Sequence, residues 1–116
     1  MSDFKDNSCV LMAHKHCACI EFTSSDRNRH GFATSQLLHY HLGANDEPDH
    51  DAPPEKLAIA FATADVTLTG WRLRWLSDCL CEGNLLAVRS LPARYGNLDP
   101  TELFVARISV EPIRNE

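Results

Sequence analysis

Hydrophobic and polar residues alternate in several stretches of the chain, which is the pattern of half-buried β-strands. The stretches cover residues 9–23, 57–69, 85–91 and 103–111. In the second of them the large apolar residues change parity after Phe61, and this change predicts a bulge or a tight turn near Thr63 to Asp65. The alternation therefore predicts a sheet of four or five strands, most of them antiparallel.

Apolar residues spaced three and four apart predict two helices. The stronger prediction covers residues 71–82, which end before Gly83. Its apolar positions are Trp71, Leu73, Trp75, Leu76, Cys79 and Leu80. The weaker prediction covers residues 32–42, for which a strand is the alternative because Leu38, Tyr40 and Leu42 also alternate with other residues. The predicted fold class is α+β, a mostly antiparallel sheet of four or five strands with two helices packed on one face.

The length of the chain, 116 residues, is close to the commonest size of one domain. We therefore predict a single domain that covers residues 1–116, with residues 1–7 polar and frayed. Residues 44–56 are predicted to form an acidic, proline-rich loop, because Pro48, Pro53 and Pro54 exclude regular structure there.

The net charge of −5 comes mostly from this loop, which holds five of the 16 acidic residues and one lysine. The other basic residues are scattered, unlike the basic patch of a nucleic-acid-binding protein. No apolar run is long enough to cross a membrane, and the first residues lack the pattern of a secretory signal. We expect a cytoplasmic protein with no nucleic-acid or membrane partner, whose five cysteines are free thiols.

A surplus of histidine and cysteine suggests a metal site, since imidazole and thiolate are good ligands for zinc and other first-row metals. The candidate ligands are His14, His16, Cys17, Cys19, His39 and His41. Residues two apart on a strand face the same side, so either His14 with His16 or Cys17 with Cys19 could supply two ligands, from opposite sides of the strand. His39 and His41 could both complete such a site only if their segment is extended, since on a helix at most one of them could join. The paired CxxC motifs of common zinc sites are absent from the sequence.

Aromatic residues flanked by arginines on the predicted 71–82 helix suggest a protein interface, because Trp, Tyr and Arg carry much of the binding energy in interfaces. The candidate interface residues are Trp71, Arg72, Arg74, Trp75 and, in a nearby loop, Tyr95. The two tryptophans are four residues apart and would form one ridge on a helix.

Motifs for nucleophilic hydrolysis and for phosphate binding, such as GxSxG and GxGxxG, are absent, so the sequence favours a non-enzymatic role. The leading interpretation is a small cytoplasmic protein-interaction module without a cofactor, which binds a protein partner or a second copy of itself. The alternative is a metal-binding or metal-sensing domain, whose cofactor would be zinc or another transition metal.

Overall fold

Two four-stranded sheets and one α-helix make up the computed structural model, which describes residues 9–13, 15–46, 53–91 and 103–113. The strands are β1 (Val10–Met12), β2 (Cys19–Thr23), β3 (Arg29–Ala33), β4 (Leu37–Ala44), β5 (Glu55–Phe61), β6 (Ala64–Trp71), β7 (Leu85–Arg89) and β8 (Phe104–Pro112). The helix α1 (Arg74–Glu82) connects β6 to β7, and a short 3-10 helix (Thr34–Gln36) connects β3 to β4.

The two sheets differ in the direction of their strands. The first has the order β1-β7-β2-β3, and we call it the mixed sheet because β2 and β7 run parallel while the other pairs are antiparallel. The second has the order β4-β5-β6-β8, and we call it the antiparallel sheet because all of its pairs are antiparallel. Each sheet therefore has two edge strands, which are β1 and β3 in one sheet and β4 and β8 in the other.

A single hydrophobic core joins the two sheets and α1. The antiparallel sheet contributes one alternating set of buried side chains, which includes Leu57, Ile59, Phe61, Val66, Leu68 and Ile108. Phe61 stacks on Phe32 of the mixed sheet with 4.4 Å between ring centroids. Leu76, Cys79 and Leu80 of α1 are also buried, whereas Trp75, which the sequence pattern predicts on the same apolar stripe, is 64% exposed, so the predicted stripe is confirmed only in part.

The predicted pair of helices on one face of a sheet is wrong. In the described part of the chain the fold is mostly β with a single α-helix, and residues 32–42 contain the end of β3, the 3-10 helix and most of β4. Tyr40 and Leu42 lie opposite Ile59 and Leu57 of β5. The strand predicted from alternation is therefore correct for this segment, and the helix predicted from the four-residue spacing of Leu38 and Leu42 is not.

The other predicted helix begins later than its sequence pattern indicates. Trp71 is the last residue of β6, lies opposite Phe104 of β8, and has its ring 5.6 Å from the Phe104 ring. Arg72 has a φ of 57°, which a helix does not accommodate. The helix therefore begins at Arg74, and Trp71 does not share a helical ridge with Trp75.

Two predicted strands are each divided in the structure. Residues 57–69 belong to β5 and β6, which are joined by a tight turn at residues 62–63, so the turn inferred from the change of parity is confirmed. Residues 9–23 form β1 and β2 with an irregular segment between them.

The predicted 44–56 loop is shorter than expected, because Ala44 belongs to β4 and Glu55 and Lys56 belong to β5. Residues 47–52 of that loop and the predicted frayed residues 1–7 lie outside the described residues.

Candidate functional site

The predicted metal ligands are spread over two regions of the fold. Cys17 is buried, Cys19 is exposed at the start of β2, and the ring of His16 lies against Gly83 at the end of α1. His39 and His41 are exposed on β4, and since they lie two residues apart on a strand they share one face. His14 lies outside the described residues. Among the described residues no group of three or more metal-ligating side chains comes together, and the metal site stays a prediction.

The predicted interface residues are divided as well. Trp75 is 64% exposed on α1, beside the exposed Arg74, whereas Trp71 is half-buried against the core. Arg72 is exposed in the link between β6 and α1. Tyr95 lies outside the described residues. Helix α1 thus keeps an exposed tryptophan, but not the ridge of two tryptophans that the sequence suggested.

The edge strands of the two sheets show a feature that the sequence analysis missed. An exposed edge invites pairing with another chain, and proteins commonly protect it by shortness, charge or proline. β1 has only three residues, and β3 carries Arg29, which is ion-paired with Glu21 at 2.8 Å. β8 carries Arg107 and Glu111 and ends at Pro112. Each of these three edges therefore has at least one such protection.

β4 is the exception among these edges. It is eight residues long, with the sequence LLHYHLGA, and contains no lysine, arginine, aspartate, glutamate or proline. A bulge between Leu37 and His39 is its one irregularity. Among the described residues, β4 pairs on one side with β5, and on its other side the Leu37 N–H is bonded to the Thr34 carbonyl of the 3-10 helix, while residues 38–44 have no backbone partner there. Within the described ranges, the part of this strand beyond the bulge therefore leaves a row of N–H and C=O groups without backbone partners at the edge of the antiparallel sheet.

The side chains of β4 add apolar surface to this free edge. Leu38 is 64% exposed and Tyr40 is 36% exposed. Tyr40 lies on the inner face of the sheet, because its cross-strand neighbour is the buried Ile59, while His39 and His41 lie on the outer face opposite Ala60 and Ala58. A strand added beside β4 would meet an aromatic ring on one face and imidazoles on the other.

Helix α1 lies beside the inner side of β4. Partial desolvation, followed by the neighbouring Cys81 thiol and then the Asp78 carboxylate, raises the pKa of the Tyr40 phenol. At the other end of the helix, the backbone N–H of Leu73 donates a 2.7 Å hydrogen bond to the carboxylate of Glu55, which is paired with Ala44 of β4. The last turns of the helix therefore lie near Tyr40, and the residue before its first turn is bonded to the β5 neighbour of Ala44.

The exposed side of α1 carries one carboxylate near β4, that of Asp78, which lies close enough to Tyr40 to affect its phenol. Within the described ranges Asp78 forms no ion pair. The free edge, the exposed Tyr40 and this carboxylate together make the candidate site, which we call the β4 edge. Its signal in the sequence is an eight-residue run without charge or proline, which becomes meaningful only when the run is recognised as an edge strand.

In the part of the chain that the structure describes, no helix is long and apolar enough to span a membrane. Comparisons with protein-family models, with curated proteins and with solved structures find no match to this chain.

Proposed function

We propose that this protein is a non-enzymatic interaction module of the cytoplasm, which binds an extended segment of a partner protein as an added strand along β4. The observation that supports this function is the contrast between β4 and the three protected edges described above. Strand addition to an exposed sheet edge is a common mode of peptide recognition, in which main-chain hydrogen bonds supply affinity and alternate side chains supply specificity.

The position of α1 indicates which side chains the partner segment carries. An inward-facing residue of the added strand would lie over Tyr40 and within reach of Asp78. Lysine and arginine suit this position, because their methylene stems pack on an aromatic ring while the charged group pairs with a carboxylate. The net charge of −5 also favours the approach of a basic segment. The partner is therefore an extended segment with basic residues at alternate positions and β-branched residues between them.

The state of the cysteines supports the proposed compartment. All five are free thiols in the structure, of which Cys9, Cys17 and Cys79 are buried. Secreted domains of this size commonly use cysteines in disulfides, whereas cytoplasmic proteins keep them reduced.

The proposal is tested with a synthetic peptide of alternating lysine and valine, seven residues long, titrated into the 15N-labelled protein. We expect NMR shift changes and slower amide exchange along residues 38–43. The Tyr40→Lys variant removes the inner-face ring and adds a like charge at the edge, and we expect it to weaken binding by about tenfold or more. Peptide with glutamate in place of lysine should bind more weakly by a similar factor.

The matched control is Ala62→Lys, which adds the same charge at an exposed turn between β5 and β6. It should bind the basic peptide as the unmodified protein does. Circular dichroism and the dispersion of the NMR spectrum establish that each variant is folded. Shift changes centred on another strand, or equal binding by the Tyr40→Lys and Ala62→Lys variants, would overturn the proposal.

A further inference from the structure

Twelve side chains form a regular grid on the outer face of the antiparallel sheet. The cross-strand register places them in three rows of four, one residue from each strand in every row. The basic row is Gly43, Lys56, Thr69 and Arg107; the middle row is His41, Ala58, Thr67 and Ser109; the acidic row is His39, Ala60, Asp65 and Glu111. We call this grid the outer face.

Charge is separated along the strands of the outer face. Both cations, Lys56 and Arg107, lie in the basic row, and both carboxylates, Asp65 and Glu111, lie in the acidic row. The two rows are four residues apart along each strand, or about 13 Å. In the described part of the chain none of these four side chains forms an ion pair, and all four are exposed. Their charges are therefore available to a group outside the chain.

The middle row of the outer face contains no lysine, arginine, aspartate or glutamate. Its members besides His41 are alanine, threonine and serine, whose short side chains allow another surface to approach closely. An open groove of about 460 Å³ lies over the basic and middle rows, and Lys56, Arg107 and the carboxylate of Asp46 are among the residues that line it. This groove has room for carboxylate side chains that enter from a facing surface.

We propose that the outer face binds the outer face of a second copy of this chain. The two copies are related by a two-fold axis that lies in the plane between the two faces and is perpendicular to the strands. This rotation places the basic row of each copy over the acidic row of the other. Arg107 then faces Glu111 of the partner subunit, and Lys56 lies beside Asp65 of the partner subunit. Four ion pairs result, two from each half of the symmetric interface.

The charge pattern also selects this axis over its alternative. A two-fold axis parallel to the strands would place the basic row over the basic row and the acidic row over the acidic row. Like charges in contact at an interface disfavour association. The outer face is thus complementary to itself in one orientation, which is what an isologous dimer requires.

The small area of the outer face indicates a dimer of low affinity. Four strands and three rows cover roughly 19 Å by 20 Å, or about 400 Å² per copy. A standard stable interface buries about 800 Å² per partner, and smaller ones are transient. We therefore infer a weak dimer that forms at high protein concentration and is sensitive to salt, because its ion pairs lie near solvent.

This inference is independent of the β4 edge, and sedimentation velocity with charge reversals tests it. At about 20 mM salt and protein concentrations up to about 1 mM, the mass should rise toward that of a dimer, and about 500 mM salt should reverse the rise. Arg107→Glu and Glu111→Arg should each give a monomer. The double variant carrying both changes should dimerise again, because the exchanged charges still face each other.

A mixture of the Arg107→Glu and Glu111→Arg variants gives a second test of the same contact. In a mixed pair both contacts between positions 107 and 111 join glutamate to arginine, so we expect a heterodimer where each variant alone is monomeric. The side chains are exposed, and circular dichroism confirms that each variant is folded. A monomeric unmodified protein at low salt, or double and mixed variants that fail to associate, would overturn the inference. A dimer that Tyr40→Lys abolishes and Arg107→Glu leaves intact would assign self-association to the β4 edge instead, and would overturn it too.

Discussion

Gly70 shows how the identity of one residue sets the distance between two strands. It lies in β6 opposite Val105 of β8, at an irregularity of the register between Thr69 and Gly70. A Cβ atom at this position would collide with the backbone carbonyl of Phe104. The close approach therefore depends on the absence of a side chain, as is common where a strand carries a bulge.

We predict that Gly70→Ala lowers the free energy of unfolding by about 2 to 4 kcal/mol, since neither backbone can move without breaking the β6–β8 pairing. Gly31→Ala is the matched control, because a Cβ at Gly31 meets no atom within 4 Å. It should change stability by less than about 0.5 kcal/mol. Urea unfolding followed by tryptophan fluorescence measures both values. Equal effects of the two changes would show that the β6–β8 contact is not tight at Gly70.

Single elements show which features of the fold the sequence could predict. The alternation in β5 and β6 is a local pattern that appears in the structure, and of the apolar stripe predicted for α1 the structure buries Leu76, Cys79 and Leu80 but not Trp75. The segment around Tyr40 fits either a helix or a strand by spacing alone. Its choice depends on pairing with β5, about 15 to 20 residues away in the chain, which local spacing does not reveal.

The β4 edge could not be predicted from the sequence for the same reason. An uncharged run such as β4 is ordinary in a central strand and significant only in an edge strand, and strand order is a property of the whole fold. The exposure of Trp75 agrees with the interface suggested for α1, but the position of Trp71 in β6 does not. The outer face likewise required the register of four strands before its charge separation could be seen.

The link between α1 and the antiparallel sheet gives a prediction at the scale of elements. Helix α1 has no side-chain cap at its N-terminus, but the N–H of the preceding Leu73 is bonded to Glu55. We predict that Glu55→Ala destabilises the protein by about 1 to 3 kcal/mol, because a partly buried N–H loses a charged acceptor. Thermal unfolding by circular dichroism measures the change. Glu111→Ala removes an exposed carboxylate from the same sheet and should have little effect.

The molecule as a whole combines one shared core with two separate surfaces. The β4 edge is at one side of the antiparallel sheet, next to α1, while the outer face is the side of that sheet turned away from the core. A partner segment at the edge and a second copy on the outer face would both lie near His39 and His41 of β4, but their other contacts would use different groups of the same four strands. Tyr40 serves the first surface and Arg107 the second, so substitutions at these residues separate the two kinds of binding.

The buried thiols test whether the core unfolds as one unit. Cys9, which precedes β1, contacts β8, since the Val105 N–H donates to its sulfur at an N–S distance of 3.3 Å, and burial raises the pKa of its thiol. Burial and then Glu82 and Asp78 raise the pKa of Cys79. Because the thiolate is the reactive form, higher pKa values slow thiol reagents at pH 8.

With a disulfide reagent such as dithionitrobenzoate, we predict that the exposed Cys19 and Cys81 react quickly in the native protein. Cys9, Cys17 and Cys79 should become reactive together, at the urea concentration where fluorescence reports unfolding, because one core connects the sheets. Mass spectrometry after partial labelling identifies each site. Reaction of Cys9 at a lower urea concentration than Cys79 would show that the contact between Cys9 and β8 opens before the packing of α1 does, and that the core is not a single unfolding unit.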